Sequence, residues 1–267
     1  MCDLRVGTSG YDYLDWIEAF YPEQLSRNEF LPYYSKHFNT LELNFSYYRM
    51  PTKEQMVRFA QATTGNMDFS IKAHESLTHR VDPHLWRDHA RDYIKGISPL
   101  MEQDKLNSIL LQFPYSFHYT PENRRYLDQL ITAMGRLPLV VEFRSAQWMS
   151  NRVFDGLRRR EVGLCITDTP RLKGLPPAMD VVTSHTAYIR FHGRNEENWW
   201  GSDAAARFDY LYSPKELGSW IARIKTIVSV AQKIRVYFNN HRRGQAPANA
   251  LMLKELLKKA GVITEGG

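Results

Sequence analysis

Polar and charged side chains recur two residues apart in several apolar segments of the sequence. Residues two apart on a β-strand project from the same face, so each segment would have one polar and one apolar face. Six segments show this pattern, with polar positions at Glu42 and Asn44, Lys72 and His74, Gln112, Glu142 and Arg144, Arg190 and His192, and Arg235, Tyr237 and Asn239. Most of these groups stand near the C-terminal end of their segment, so parallel strands would bring them to one edge of the sheet.

These residue types favour an anion site. Lys72, Arg144 and Arg190 would supply positive charge, and nearby amides would supply hydrogen bonds. The remaining candidate ligand-binding residues are Asn44, Gln112, Asn239, Asp168, and, in the first loop with its glycine N–H groups, Thr8 and Ser9. We therefore expect a phosphorylated or otherwise anionic ligand, either a small molecule or a nucleic acid, and a possible hydrolase or phosphoester-processing enzyme.

The candidate catalytic groups are Glu42, Glu142, His192 and His74. Either histidine could act as a general acid–base on a bound anion. The two glutamates could form a glycosidase-type pair, but neighbouring arginines would keep both ionised, which suits a nucleophile and not a general acid. A Schiff base on Lys72 needs a lowered amine pKa, whereas a neighbouring carboxylate would raise it, so this chemistry is disfavoured.

Three other interpretations remain open. The charges could form a buried ion-pair network, with Glu42, Glu142 and Asp168 balancing Lys72, Arg144 and Arg190, although such a network adds little stability over an apolar core. The chain could be a non-catalytic module that binds nucleic acid or a protein partner. It could also be a metal-dependent hydrolase of the endonuclease-like barrel type, using ligands among His74, His79, His192, His241, Glu42, Glu142 and Asp168. No H-x-x-x-H or H-x-D pair lies on a predicted strand, so we expect no metal and no other cofactor.

The elements that must position these groups are eight short apolar runs. They are Leu4–Thr8, Thr40–Phe45, Phe69–Ala73, Ser108–Phe113, Leu139–Phe143, Val162–Thr167, Ala187–Phe191 and Ile234–Phe238. Helical patterns separate most of them, and several have start signals: capping boxes at Ser26–Glu29 and Thr52–Gln55, and an N-cap hydroxyl before proline at Thr120 and Ser213.

Alternating strands and helices predict an α/β fold, a single (β/α)₈ TIM barrel with a closed parallel sheet over residues 1–267. An open doubly wound sheet is the alternative, but no G-x-G-x-x-G turn follows the first strand. Insertions are predicted near 74–107, with two helices, and near 193–212, overhanging the mouth. Aromatic residues expected near the mouth are Tyr11, Tyr13, Tyr47, Tyr48, Trp148, Trp199 and Trp200.

Bulk composition fits a cytoplasmic globular protein. The 267 residues are 43% hydrophobic and 24% charged, with a formal charge of +6 that leans mildly towards anionic partners. The two cysteines, Cys2 and Cys165, suggest neither a disulfide framework nor a zinc site. No apolar run reaches the roughly 18 residues of a membrane span, so no membrane partner is expected. The oligomeric state does not follow from the sequence.

Nearly the whole chain resembles the YecE-like family, the domain of unknown function 72. The motifs that carry the resemblance, in chain order, are Gly7-Thr8-Ser9-Gly10-Tyr11 with Trp16, Phe20-Tyr21-Pro22, Thr40-Leu41-Glu42-Leu43-Asn44, Tyr47-Tyr48-Arg49-x-Pro51, Lys72 with Thr78-His79, Gln112-Phe113-Pro114, Val141-Glu142-Phe143-Arg144 with Trp148, Asp168-x-Pro170, Tyr188-x-Arg190-x-His192-Gly193, and Tyr237-Phe238-Asn239-Asn240-His241. The resemblance implies a TIM barrel and no defined reaction. Two positions depart from the family pattern: Tyr11 replaces a usual tryptophan, and Ser145-Ala146-Gln147 replaces a customary histidine.

Overall fold

Eight parallel strands form the central sheet of the computed structural model, which describes residues 2–63 and 66–263. The strands are β1 (Asp3–Thr8), β2 (Thr40–Leu43), β3 (Asp68–Lys72), β4 (Leu106–Gln112), β5 (Leu139–Glu142), β6 (Gly163–Asp168), β7 (Thr186–Phe191) and β8 (Lys233–Phe238). Their order in the sheet is β1-β8-β7-β6-β5-β4-β3-β2. All eight lie on the predicted apolar runs, and the closed parallel barrel is confirmed.

The barrel closes between β1 and β2 through a short seam. Ser9 and Glu42 form a parallel bridge just beyond the end of β1, and the Gly10 N–H donates to the Glu42 carbonyl at 2.8 Å. By contrast, β1 pairs with β8 along its whole length, from Asp3 opposite Lys233 to Thr8 opposite Phe238. The first and last strands are therefore joined firmly, and the seam is the weakest backbone link between β1 and its neighbours.

Helices cover most of the outer face of the sheet. They are α1 (Phe30–Tyr34), α2 (Lys53–Gln61), α3 (Trp86–Glu102), α4 (Pro121–Met134), α5 (Asn151–Arg159), α6 (Ala204–Arg207), α7 (Pro214–Val228) and α8 (Gln245–Lys259). The predicted start signals work as expected, since Thr52, Thr120 and Ser213 accept N–H groups of the first helical turns. Among the described residues, no helix has the length and apolar character needed to cross a membrane.

Two connections differ from the prediction. The segment between β3 and β4 contains one long helix, α3, preceded by a short 3₁₀ turn at Glu75–Leu77, where two helices were predicted. The segment between β6 and β7, residues 169–185, is fully described and has no helix. This segment is a loop that contains Pro170, Pro176 and Pro177, and proline disfavours a helix interior.

Apolar residues form two separate clusters. The larger lies between the sheet and the helices and takes alternate residues of each strand, such as Leu41 and Leu43 of β2 or Ile189 and Phe191 of β7. The smaller fills the middle of the barrel and consists of Leu110, Val140, Cys165, Tyr188 and Tyr237. The strand alternation thus directs one face to the helices and the other to the lumen, as the sequence pattern predicts.

Candidate functional site

A cavity of about 420 Å³ opens at the C-terminal ends of the strands. This end of a (β/α)₈ barrel is where the strand-to-helix loops place functional residues. The cavity is lined by Tyr13, Asn44, Tyr47, Tyr48, Lys72, His79, Gln112, Pro114, Tyr115, Arg144, Leu175, Arg190, Trp199, Trp200, Arg207, Phe208, Asn239 and His241. Six predicted ligand-binding residues are therefore brought together here: Asn44, Lys72, Gln112, Arg144, Arg190 and Asn239.

The charge of the cavity lining is one-sided. Lys72, Arg144, Arg190 and Arg207 line the cavity, whereas the described lining residues include no aspartate or glutamate. The nearest carboxylates, Glu42 and Glu142, are fully buried beneath it. The cavity therefore presents positive charge to a ligand.

Arg190 joins the two buried glutamates. Its Nη2 donates to Glu42 Oε1 at 2.7 Å, and its Nη1 donates to Glu142 Oε2 at 2.6 Å. Glu42 also accepts hydrogen bonds from the Ser9 hydroxyl at 2.5 Å and the Tyr188 hydroxyl at 2.6 Å. Three donors, one guanidinium N–H and two hydroxyls, therefore satisfy the buried Glu42 side chain.

Glu142 is also approached by a second arginine and a histidine. Arg144 Nε lies 2.5 Å from Glu142 Oε1, and His192 Nε2 lies 3.2 Å from the same oxygen. Burial alone would raise the pKa of Glu142, but Arg144 and Arg190 hold it well below its usual range. Because Glu142 stays ionised against two arginines, it is not free to act as a general acid.

His192 is held neutral inside this network. Burial and then Arg144 lower its pKa to about 3, despite the opposing effect of Glu142. Its Nδ1 lies 3.1 Å from Asn239 Nδ2. If the amide donates to Nδ1, the ring proton must sit on Nε2, facing Glu142. His192 therefore positions Glu142 and Asn239 and does not itself line the cavity.

Lys72 has no acidic partner among the described residues. Its ammonium lies 4.0 Å from the centre of the Tyr47 ring and makes no hydrogen bond or ion pair within the described part of the chain. Burial, reinforced by Arg190, lowers the pKa of Lys72 to about 7, and Glu142 only partly opposes this. The glutamates do raise this pKa, as expected, but burial and Arg190 outweigh them, so the expected net increase is wrong.

Two further histidines line the cavity, and both have a lowered pKa. Burial and then Lys72 lower the pKa of His79 to about 4. Burial lowers the pKa of His241, whose ring stacks on Tyr13 at 4.8 Å between centroids. The positive charge of the cavity at neutral pH therefore comes from lysine and arginine.

Aromatic side chains form the cavity rim. Tyr48 is 72% exposed, Trp200 is 48% exposed and Tyr115 is 39% exposed, so their faces are open to a ligand. Tyr13, Tyr47 and Trp199 line the cavity below them, as predicted. Two predicted rim residues lie elsewhere: Tyr11 packs on Tyr34 and Phe59, and Trp148 is buried in a stack with Phe117 and Phe143.

Three predicted site residues near the first loop and β3 do not line the cavity. The Thr8 hydroxyl donates to the Gly10 carbonyl at 2.6 Å, and the Ser9 hydroxyl is bonded to Glu42. His74 caps the short turn that follows β3, with its Nδ1 2.8 Å from the Ser76 hydroxyl. None of the three lines the cavity, so the first-loop donors expected for an anion are used within the fold.

Asp168 belongs to a different cluster. It accepts both Nε and Nη2 of Arg194, at 2.8 and 2.6 Å, and hydrogen bonds from the Tyr212 hydroxyl and the Trp220 indole. It lines a separate cavity of about 970 Å³ beneath the helix-free loop. The expectation that Asp168 balances Lys72, Arg144 or Arg190 is therefore wrong, because Arg194 neutralises it.

The sequence interpretation missed Arg207, Phe208 and Tyr115. Arg207 and Phe208 lie in the predicted 193–212 insertion, which does overhang the mouth, but no strand periodicity marks which of its residues turn inward. Tyr115 lies three residues after Gln112, the last residue of β4, and this position just beyond a strand end could have marked it as a cavity residue.

Metal ligands are not gathered at the mouth. Within residues 2–63 and 66–263, no group of three or more His, Cys, Asp and Glu side chains is placed to hold a metal ion. His74 faces Ser76, Asp168 faces Arg194, and Glu42 and Glu142 face arginines. The donor set proposed for a metal-dependent hydrolase is thus dispersed.

Comparison with known proteins places the chain in a family. The chain is 26% identical to the UPF0759 protein YunF of Bacillus subtilis (strain 168), over 95% of this chain and 94% of that protein. A DUF72 family crystal structure from Thermotoga maritima MSB8 is 34% identical, with a TM-score of 0.88 over 96% of this chain and 99% of that one. A second, from Enterococcus faecalis V583, is 25% identical, with a TM-score of 0.83 over 96% and 95%. The model of the family described as protein of unknown function DUF72 matches residues 5–265, and this chain belongs to that family.

Proposed function

We propose that the mouth cavity binds a phosphorylated or similarly anionic ligand and that the protein is an enzyme acting on it. One observation carries the proposal: four basic side chains and no described carboxylate line the cavity. Arg190 and Arg144 neutralise the two glutamates below, so Arg207 and the protonated form of Lys72, whose pKa is about 7, remain as positive charge without an acidic partner in the described structure. An anion would compensate that excess.

Arg144 is the best-placed anion ligand. Its Nε faces Glu142, while its Nη atoms make no hydrogen bond in the described structure, and the side chain lines the cavity. A guanidinium held on one side by a carboxylate presents its other N–H groups in a fixed geometry, which suits the oxygens of a phosphate or carboxylate.

The uncharged lining suits an organic ligand. Asn44, Gln112 and Asn239 offer amide groups, and Asn44 Oδ1 is buried without a hydrogen-bond partner in the described structure. A cavity of about 420 Å³ falls within the usual range for small-molecule sites. These features favour a ligand the size of a sugar phosphate or a mononucleotide.

A second candidate function is nucleic-acid binding without catalysis. Its support is the exposed rim aromatics Tyr48, Tyr115 and Trp200 beside a basic cavity. Bases can stack on exposed aromatic faces, while basic residues hold the backbone. A short single strand would then place one phosphate in the cavity.

Anion binding can be tested by thermal unfolding and calorimetry. Inorganic phosphate, sulfate, sugar phosphates, mononucleotides and a short DNA strand would be titrated into the parent protein, Arg144→Met and the exposed control Arg91→Met. We expect Arg144→Met to weaken binding about 10- to 100-fold, because hydrogen bonds to charged groups contribute about 1.5–3 kcal/mol. Arg91→Met should bind like the parent, since Arg91 lies on α3 and pairs with Asp88.

The same ligands separate the two candidate functions. Turnover of a phosphorylated compound that is lost in Arg144→Met supports an enzyme, whereas tight DNA binding without turnover supports the module. If no anion stabilises the parent, or if Arg144→Met binds as well as the parent, the proposal is wrong.

A further inference from the structure

Lys72 stands out among the cavity residues because its amine is unengaged. It is the last residue of β3, and Asn44 follows the end of the adjacent strand β2, whose last residue Leu43 pairs with Ile71. Within the described part of the chain, the Lys72 amine contacts the Tyr47 ring and makes no hydrogen bond. A structural lysine would be expected to have a carboxylate or carbonyl partner, as Lys105 does with the Ala60 carbonyl at 2.7 Å.

The two glutamates near Lys72 cannot serve as its partner. Glu42 already accepts Arg190, Ser9 and Tyr188, and Glu142 accepts Arg190 and lies against Arg144. The Lys72 ammonium therefore lies near two arginines, Arg144 and Arg190, and near carboxylates that these arginines already neutralise.

This environment favours the free amine. The charged and titratable groups that face Lys72 from the neighbouring elements are Glu42, Tyr47, His79, Glu142, Arg144 and Arg190. Burial and Arg190 lower the pKa of Lys72 to about 7. An ordinary lysine has a pKa near 10.4, so at pH 7 Lys72 would have roughly a thousand times more free amine.

We propose that Lys72 is a catalytic amine that forms an imine with a carbonyl compound carrying an anionic group. The inference rests on the proposed function, because the cavity cations would hold the anion while the carbonyl carbon meets Lys72 Nζ. A lysine activated by desolvation beside other cations is an established route to such an intermediate. The substrate class is thus a phosphorylated or carboxylated aldehyde or ketone.

The step balances without any co-reactant. The Nζ lone pair forms a bond to the carbonyl carbon, and the carbonyl oxygen takes up protons from the amine. The oxygen then leaves as water with the two amine protons, and the product is a neutral imine. Proton uptake by this imine gives an iminium, which withdraws electrons from the neighbouring carbon.

Nearby groups are placed to orient the carbonyl compound. Asn44 and Gln112, at the ends of the strands on either side of β3, line the cavity. The Asn44 amide can donate to the carbonyl oxygen, whereas the Gln112 amide nitrogen already donates to the Phe113 carbonyl at 2.8 Å. Arg144, on the far side of Glu142, can hold the anionic group. Arg144 would therefore have two roles, because it can bind the anionic group and its charge also helps to lower the pKa of Lys72.

Reductive trapping tests the inference on the full-length protein. Glyceraldehyde 3-phosphate with sodium cyanoborohydride would convert an imine to a stable secondary amine, which mass spectrometry of peptides can locate. We expect Lys72 to be labelled at least about tenfold faster than any other mapped lysine. Inorganic phosphate should slow this labelling, and glyceraldehyde should label Lys72 more slowly than glyceraldehyde 3-phosphate does. The rate should rise from about pH 6 to 8 and then level off as the amine loses its proton.

Two variants serve as controls. Lys72→Arg keeps a positive charge and should still bind phosphate, but it should lose the preferential label. Lys105→Arg replaces another partly buried lysine, one whose amine is hydrogen-bonded outside the cavity, and should keep the label on Lys72.

The outcomes separate the two proposals. A label at Lys72 that phosphate suppresses supports both. Phosphate binding to the parent without preferential labelling overturns the imine and leaves the anion site standing. If glyceraldehyde labels Lys72 as fast as glyceraldehyde 3-phosphate does, and phosphate does not slow the labelling, the anionic substrate class is wrong. If the protein neither binds phosphate nor is labelled at Lys72, both proposals are wrong.

Discussion

The two ends of the barrel lumen use the same residue types with different results. At the N-terminal end, Arg235 donates to Asp68 at 2.5 and 2.9 Å and to Asp3 at 2.6 Å. Arg5 also contacts both aspartates, at 3.0 Å from Asp3 and 3.4 Å from Asp68. Two arginines thus face two carboxylates, and the end is electrically balanced.

The C-terminal end is not balanced. Glu42 and Glu142 face Arg190 and Arg144, but Lys72 and Arg207 lie at the same mouth without a described carboxylate partner. Buried ion pairs stabilise a fold little, and unpaired buried charge destabilises it. The balanced end is therefore explained by structure alone, whereas the excess of cations at the mouth supports the proposed anionic ligand.

The largest expected effect follows from Arg190→Met. This change would leave Glu42 with two hydroxyl donors and no cation, and would deprive Glu142 of one of its two arginines. We expect a loss of about 3–5 kcal/mol in the free energy of unfolding, measured with urea at pH 7.

A double variant provides the control for this loss. Arg190→Met with Glu42→Gln removes the stranded charge and should recover a large part of the stability. If Arg190→Met is as stable as the parent, the mouth network does not hold the glutamates as described.

A smaller effect is expected at the opposite end. Arg235→Met leaves Arg5 in contact with both aspartates, and the Asp3 side chain is 40% exposed and can be hydrated. We expect a loss of about 2 kcal/mol in the same urea experiment. A larger loss for Arg235→Met than for Arg190→Met would contradict the proposed difference between the two ends.

The smallest effect concerns pH. His192 has a folded pKa of about 3, below the ordinary 6.5, so the unfolded chain binds this proton first as pH falls. Its contribution to stability is full above pH 6.5 and declines below it, by about 1.4 kcal/mol per pH unit.

His192→Gln should therefore reduce the slope of stability against pH between about 6 and 5 by this amount. This window lies above the range in which Glu142 adds its own loss. The control is the range from pH 7 to 8, where parent and variant should run parallel. Equal slopes for the two proteins below pH 6 would show that His192 is not buried in neutral form.

The strand pattern predicted the fold and the position of the cavity. Alternation of residue types is enough to place Lys72, Arg144 and Arg190 inside a barrel, since a strand has only two faces. In the ion-pair network considered as an alternative, acidic residues balance Arg190, and the structure gives it two glutamates.

The sequence could not predict which of those residues form ion pairs with one another. Which carboxylate meets which cation depends on distances across the lumen, so the pKa of Lys72 was predicted in the wrong direction and Asp168 was given the wrong partners. The inward-facing Arg207 and the missing helix after β6 depend on loop conformations that have no periodic signal.

The seam between β1 and β2 has a consequence for how the chain folds. The bonds that reinforce it join Ser9 to Glu42 and then, through Arg190, to Glu142, so they link the first, second, fifth and seventh strands. Contacts between residues so distant along the chain form only after most chain entropy has been lost. We therefore expect the ring to close and the two glutamates to be neutralised together, late in folding, and an incompletely closed barrel would leave these charges exposed to water.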